Sequence, residues 1–492
     1  MNRNRMIRSL FLLLAVWGLS STAYAQNDPD ATVQAINYVI RNINPMSGAD
    51  NLVEELSKKY KNNPKVLQGI GEAYYQAGDS AKAKKMFQLV IDSDSKYIPV
   101  YIAAGDWARD RYGREGYDEA LQWYNKALSI DPKDSTAYIR YARILIFQDK
   151  IDEAVEKMKS IVAFSPDFPV NLQIARIYSN AGKWRESVPY YEKENLDNMD
   201  PGDLTDYATN CVLMGNNEQS ADVAKFGANK FPHYLQLSRV ALYSYVPLKN
   251  FEEAVKYGER VISSTDTTKF HIRQQDYFFM GQAYQGMNKS QKAIEMYEKT
   301  ISFEDEEATQ QNRDNAYQFM AQTYVDEGEW EKAYATYQKY CDIRKEQNRT
   351  SAYVLNLYAR AYQLQAEELN GEEKFECYRA SNRLYEQIAE EFPENASLAL
   401  YNAMLNNLRM DPQNEQYLGK PYAERLYALL SEKETEGPLG DADRARMEYA
   451  SRYLGFYYFV FVKDKKASLP YWKKVYEIDP ANKTALTVLG IK

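Results

Sequence analysis

A spacing that returns about every 34 residues constrains this chain more than any other feature, and it organises nearly everything after residue 60. One copy, from Ser135, places Tyr138, Tyr141–Ala142, Leu145, Asp149, Ala154, Met158, Ile161 and Pro166. A second, from Gln274, places Tyr277, Met280–Gly281, Tyr284, Asn288, Ala293, Tyr297 and Thr300. A third, from Asp314, gives Met320–Ala321, Tyr324, Gly328, Ala333, Tyr337 and Tyr340. Each copy sets large apolar residues and one small residue at fixed offsets, then a turn, then a second apolar set. That is the pattern of a helix-turn-helix unit that buries its apolar face only by stacking on its neighbours. Such a stack is a surface for holding partners, so catalysis needs strong independent signs.

These residues resemble the tetratricopeptide repeat, a family of helical-hairpin arrays with a large-small pair, a Tyr, an Ala and an aromatic at these offsets. The spacing has a physical reason. A small residue in the first helix (Gly71, Gly105, Ala142, Ala175, Ala208, Gly281, Ala321, Ala359) lets the second helix approach closely. The Ala of the second helix (Ala83, Ala120, Ala154, Ala293, Ala333) fills the facing position, and an aromatic four residues on (Phe87, Tyr124, Tyr297, Tyr337) shares its face. Pro132, Pro166, Pro232 and Pro480 fall where the second helix must stop, because proline disfavours a helical residue before it.

The resemblance implies an all-α fold, a right-handed superhelix of stacked helix-turn-helix (tetratricopeptide-like) repeats. About ten units occupy 64–480, after an N-terminal helical segment and partial repeat over 26–63. Insertions fall near 110–116, 364–378 and 411–420, and 481–492 is expected to form a C-terminal capping helix. No segment alternates apolar and polar residues long enough to predict a strand.

The first 25 residues differ in kind. Arg3, Arg5 and Arg8 precede an apolar stretch, Leu10–Trp17, and then Ala23-Tyr24-Ala25. Basic start, short apolar middle and A-x-A end describe a cleavable secretory signal peptide over 1–25. The stretch is shorter than the roughly 20 residues a bilayer span needs, so no integral membrane span is expected. No Cys follows the apolar stretch, which excludes lipoprotein processing. Cleavage would expose Gln26, which resembles exported proteins of the Bacteroidetes, and the expected location is periplasmic, with an extracellular one as the alternative.

Loss of three arginines and no acid would take the net charge from −8 to −11. An acidic surface argues against nucleic acid or anionic lipid as a general partner, since those need clustered lysine and arginine. Three cysteines, Cys211, Cys341 and Cys377, are too few for a disulfide framework, and Cys211 reads as a buried small hydrophobe. The two histidines, His233 and His271, have no His or Cys at metal-ligand spacing, and no phosphate-binding, nucleophile-elbow or zinc-protease motif occurs. Ser93–Lys96 fits S-x-x-K without supporting residues, and Glu304–Glu307 lacks the glycine and alternating oxygens of a calcium loop. Tyr453–Val462, the most apolar stretch after the leader, coincides with the first helix of the last full unit and so reads as core rather than as membrane contact. The expectation is a protein that is not an enzyme and holds no cofactor or metal.

In the tetratricopeptide family the first helices line a concave groove, and the resemblance carries that surface to particular residues here. Arg140, Arg143 and Arg176 are expected to make a basic spot. Phe278, Phe279, Gln282, Phe319 and Gln322 are expected to make an aromatic and amide stretch, followed by Asn356 and Arg360. Guanidinium and amide groups can hold a peptide backbone or carboxylate, and rings can take apolar side chains. The carboxylate-clamp version of the family wants Lys and Asn where Gln68 and Glu72 stand, so that version is unsupported. Two function classes follow. One is a non-catalytic exported adaptor that binds proteins or peptides in a cell-envelope complex, with self-association left open. The other is a glycan- or nutrient-capture protein of the cell surface.

Overall fold

Short polar side chains start the helices. Asp134 Oδ1 accepts from the backbone N–H of Ala137 at 2.8 Å, and Asn63, Asp79, Asn216, Asn250, Asp464 and Asn482 cap their helices in the same way. Each such cap contributes about 1 kcal/mol by satisfying a donor with no intrahelical partner. In this computed structural model the described residues are 57–264 and 270–491, together with Val33 and Glu54. The expected signal peptide over 1–25 and nearly all of the segment over 26–63 lie outside them. All regular structure among the described residues is helical.

The chain divides into two compact units between Val240 and Ala241. In the first, α1 (Pro64–Gln76) pairs with α2 (Ser80–Ser93), α3 (Ile98–Tyr112) with α4 (Tyr117–Ile130), and α5 (Ser135–Phe147) with α6 (Ile151–Lys159). Next, α7 (Val170–Asn180) pairs with α8 (Trp184–Tyr191), and α9 (Pro201–Leu213) with α10 (Asn217–Lys230). The unit boundary falls inside α11 (Leu235–Tyr245), which is followed by α12 (Phe251–Ile262). In the second unit the pairs are α13 (Gln274–Gly286) with α14 (Ser290–Ser302), and α15 (Gln310–Asp326) with α16 (Trp330–Glu346). They continue with α17 (Ala352–Glu368) and α18 (Gly371–Glu391), α19 (Ala396–Met410) and α20 (Lys420–Glu436), and α21 (Asp441–Phe456) and α22 (Lys465–Ile478). The short α23 (Lys483–Leu489) packs on α22, burying Ala485 and Val488 beside Trp472 and Val475. Helices α4, α10 and α22 end two residues before Pro132, Pro232 and Pro480.

Each hairpin closes through the small residue of its first helix. A methyl group on Gly281 would lie 2.5 Å from the Tyr297 ring, one on Gly105 2.4 Å from Tyr124, and one on Gly71 2.7 Å from Phe87. Those rings are buried, as are Ala83, Ala120, Ala293 and Ala333 of the second helices. Serine also serves at the facing position: Ser187 Oγ donates to the Ala175 carbonyl at 2.9 Å and accepts from Asn210 Nδ2 at 3.1 Å. The α11–α12 pair reverses the sizes. Leu242 stands at the small position, and Gly258 leaves room for it and for Met280.

The insertions take three forms. Near 110–116, α3 runs on to Tyr112 and a 3-10 turn, Gly113–Gly116, leads straight into α4. A side chain on Gly116 would sit 2.0 Å from the Ala108 carbonyl oxygen, so this turn demands glycine. Over 364–378 the extra residues lengthen α17 and α18, with only Leu369 and Asn370 between them. Residues 411–419 form a loop held by Asp411, whose carboxylate accepts from the N–H groups of Glu415, Gln416 and Leu418.

Candidate partner-binding groove

The aromatic stretch assembles on the first helices of the second unit. Phe279 of α13 stacks on Tyr243 of α11 with centroids 4.6 Å apart. The Tyr243 hydroxyl donates to Asp276 Oδ1 at 2.7 Å, while Asp276 Oδ2 accepts from the Arg273 N–H at the start of α13. That pair of bonds fixes both the helix start and the ring beside it. Phe319 of α15 is half-buried and stacks on Tyr297, and Phe278 meets Phe319 edge-on at 5.6 Å. Phe279, Gln282 and Phe319 share a cavity of about 420 Å³ with Val246, Pro247 and Phe251. Gly286 makes room for the Phe251 ring, which would stand 2.3 Å from any methyl group there. Gln285 accepts from the Tyr297 hydroxyl at 2.7 Å, so its amide oxygen is engaged, whereas Gln282 lines the cavity with no hydrogen bond among the described residues.

Phe278 is a correction to the sequence expectation. At 7% exposure, wedged among Phe279, Tyr297 and Phe319, it packs the wall from behind. Gln322 turns to Asp326, donating at 2.7 Å. Asn356 lines a separate cavity of about 460 Å³ with Tyr353, Tyr385, Phe392 and Leu398, and Arg360 is exposed nearby on α17.

The basic spot expected from Arg140, Arg143 and Arg176 does not form as a free patch, because two of the three are taken up by aspartates. Arg140 reaches back to Asp106 of the preceding hairpin at 3.3 Å, and Asp106 also accepts from the Tyr124 hydroxyl at 2.8 Å. Arg176 reaches forward to the following hairpin, gripping Asp203 through two bonds of 2.6 and 2.7 Å and Asp200 at 3.1 Å. These contacts tie successive first helices together. Of the three, Arg143 alone is exposed and without an ion pair among the described residues. The electrostatics follow: the Arg109 guanidinium, with help from the Tyr75 hydroxyl, holds the Asp110 carboxyl below its usual range. Burial, reinforced by Asp203 and Asp200, pushes the Asp206 carboxyl up.

Cys211 is buried, as expected, and desolvation pushes its thiol up to about 12. Among the described residues no three His, Cys, Asp or Glu side chains are grouped to hold a metal ion, and no helix is long and apolar enough to cross a membrane.

Family models described as tetratricopeptide repeat match residues 65–96, 113–170, 172–198 and 277–306. Those four segments of the chain match tetratricopeptide repeats. The repeats are 25% identical over 159 residues to a DnaJ homolog subfamily C member 7 homolog of Schizosaccharomyces pombe, covering 30% of this chain and 33% of that one. They are 27% identical over 93 residues to a STIP1 homolog of Dictyostelium discoideum, covering 19% and 16%. The chain thus spans a third or less of the length of these curated relatives. Among solved structures, the C-terminal part of a tetratricopeptide repeat protein from Cytophaga hutchinsonii is 18% identical and covers 71% of this chain and 99% of its own, with a TM-score of 0.28. A tetratricopeptide repeat protein from Parabacteroides merdae is 15% identical, covers 53% and 98%, and has a TM-score of 0.32.

The start of Tyr453–Val462 is core, with Tyr453, Leu454 and Gly455 buried, but Phe456 and Phe459–Val462 are exposed, against the sequence expectation. The cavity wall also includes residues that the repeat pattern did not single out, namely Val246, Pro247 and Phe251. Their only sequence signal is position, since they flank the turn of the hairpin before α13.

Proposed function

We propose that the array is a non-catalytic exported adaptor in a cell-envelope complex. It holds an extended segment of another protein across the first helices α11, α13 and α15. The observation that carries this reading is the cavity where the Phe279 and Phe319 rings stand beside an uncommitted Gln282 amide. Rings of this kind take an apolar side chain, and the amide can bond the backbone of the segment that delivers it. Helix-bearing repeats of this type bind other proteins or peptides as a rule, which supports the class of partner and leaves its identity to experiment. The basic, apolar, A-x-A beginning of the chain supports the periplasm as its location.

A photo-crosslinking residue at position 282, beside a control at exposed Lys133, tests the site in cells. A protein adduct specific to position 282 supports the groove. Protein adducts only at the control, or loss of the 282 adduct on adding soluble glycans, would sink it.

A further inference from the structure

The last hairpin places its turn one residue later than the commonest position along the chain. In six hairpins the left-handed turn residue comes seven positions after the small one: Gly71–Gly78, Ala142–Asp149, Ala175–Gly182, Ala208–Gly215, Gly281–Asn288 and Ala321–Gly328. In the last, Gly455 touches Trp472 as Gly281 touches Tyr297, yet the left-handed residue is Lys463, eight positions on, an offset shared with Gly105–Gly113, where a 3-10 turn follows instead. The additional residue is absorbed as a π-helical turn, Tyr457–Phe461, a form that a one-residue insertion into a helix takes and that recurs at functional sites. Its effect is to carry apolar side chains outward at the tip of the hairpin. Phe459, Val460, Phe461 and Val462 are 36–55% exposed, a run of four, where the other turns among the described residues expose at most two large apolar residues in succession.

The tip is held in place from behind. Tyr417, from the 411–419 loop, packs against Tyr453, Tyr457 and Phe461 with centroids 5.0–5.4 Å apart. Tyr458 stacks on Tyr471, and Phe456 stands edge-on to Trp472. Lysines follow the apolar run. Lys463, Lys465 and Lys466 are all exposed and none has an ion pair among the described residues. Asp464, between them, is occupied in capping α22 through the Ala467 N–H at 3.0 Å. Glu424, beside this tip, is held by Lys420 at 2.8 Å and accepts from Tyr458. A chain of net charge −8 thus carries a local cationic collar around an apolar tip.

We propose that the α21–α22 turn is a docking tip for an anionic lipid surface. Phe459–Val462 enter the boundary between headgroups and acyl chains, and Lys463, Lys465 and Lys466 meet the lipid phosphates. Apolar insertion and lysine attraction are each weak alone and together hold a protein reversibly at an interface. A protein partner would be served by the apolar run alone. The unpaired lysines beside it favour an anionic surface.

The test reads the tip itself. Val460→Cys in the full chain, labelled with an environment-sensitive fluorophore, is mixed with vesicles of phosphatidylcholine with or without phosphatidylglycerol, beside a control label at Lys133→Cys. The expected result is a blue-shifted, brighter signal at 460 on phosphatidylglycerol vesicles only, with no change at 133. Lys463→Glu/Lys465→Glu/Lys466→Glu should weaken that binding by about tenfold or more, since each lysine near an anionic surface contributes appreciably. Helicity should be unchanged in every variant, because none of the altered positions is buried. No shift at 460, or a shift indifferent to lipid charge and to the lysine reversals, would overturn the proposal. A shift that grows with protein concentration without vesicles would overturn it too, and would assign the tip to a second copy of the chain.

Discussion

The close approach inside each hairpin makes a prediction whose sign runs against helix propensity. Gly281 lies inside α13, where alanine is normally favoured over glycine by about 1 kcal/mol. The added methyl group would stand 2.5 Å from Tyr297 Cε1 and 2.7 Å from Cδ1, and ordinary contact begins near 3.4 Å, so the ring must retreat by about 0.9 Å. It has nowhere to go. Tyr297 is fully buried, Phe278 and Phe319 stand against its faces, and its hydroxyl is committed to Gln285. Overpacking of this kind costs about 1–3 kcal/mol, and a displaced hydroxyl bond adds about 1 kcal/mol. Against the propensity gain, Gly281→Ala should destabilise by about 1–3 kcal/mol net. In a Tyr297→Leu background the clash is gone and the same change should stabilise, a coupling that a double-mutant cycle isolates. Hydrogen exchange of 274–302 is the suitable assay, since stability in a repeat array is local. Slower exchange in Gly281→Ala than in wild type would refute the packing argument outright.

Other outcomes follow from the same structure. Arg176→Ala strands Asp203, which is 3% exposed, and should cost about 1–3 kcal/mol, below the figure for a fully buried pair because the guanidinium is a third exposed; denaturant melting of the first unit checks it. The raised Asp206 carboxyl means that its charged form opposes folding above its folded pKa, so stability from this group rises as pH falls through that value. Asp206→Asn should therefore raise the melting temperature at neutral pH, and the gain should vanish once the wild-type carboxyl is protonated. Thiol labelling at pH 8 should be slow at Cys211 and at Cys341, whose thiols burial pushes up to about 12 and about 11, and should become fast only on unfolding. Rapid labelling of the native chain would show that these thiols are not shielded.

Periodicity made the helices, their pairing and the small-to-aromatic contacts legible, because each depends on residues a fixed distance apart in one hairpin. Gly71, Gly105 and Gly281 could be assigned from offsets alone, and their rings stand where the offsets place them. The Leu242–Gly258 reversal was not legible, since the pattern specifies summed volume across the contact, and either partner can supply it. Ion pairs between hairpins were equally hidden. Arg140 and Arg176 sit at groove positions, but their partners lie in other repeats, and only the stacked structure brings Asp106 and Asp203 to them. Phe278 and Phe279 are neighbours with opposite fates, because a rotation of 100° per residue puts one against Tyr297 and the other against Tyr243. Its place in the first helix of the last full unit assigned the whole of Tyr453–Val462 to the core. The single residue that displaces Lys463 from the expected turn position changes the fate of its second half.

The central claim is that the cavity of Phe279, Gln282 and Phe319 receives a protein segment. Selection of displayed random peptides on the full chain would yield a binder for direct titration. The same titration on Phe279→Ala/Gln282→Ala/Phe319→Ala, with helicity shown to be unchanged, tests the claim most directly. The account predicts that Kd rises by about tenfold or more, because ring contacts at the centre of such a site carry much of the affinity. An unchanged Kd would contradict it, and would move the binding surface off this groove.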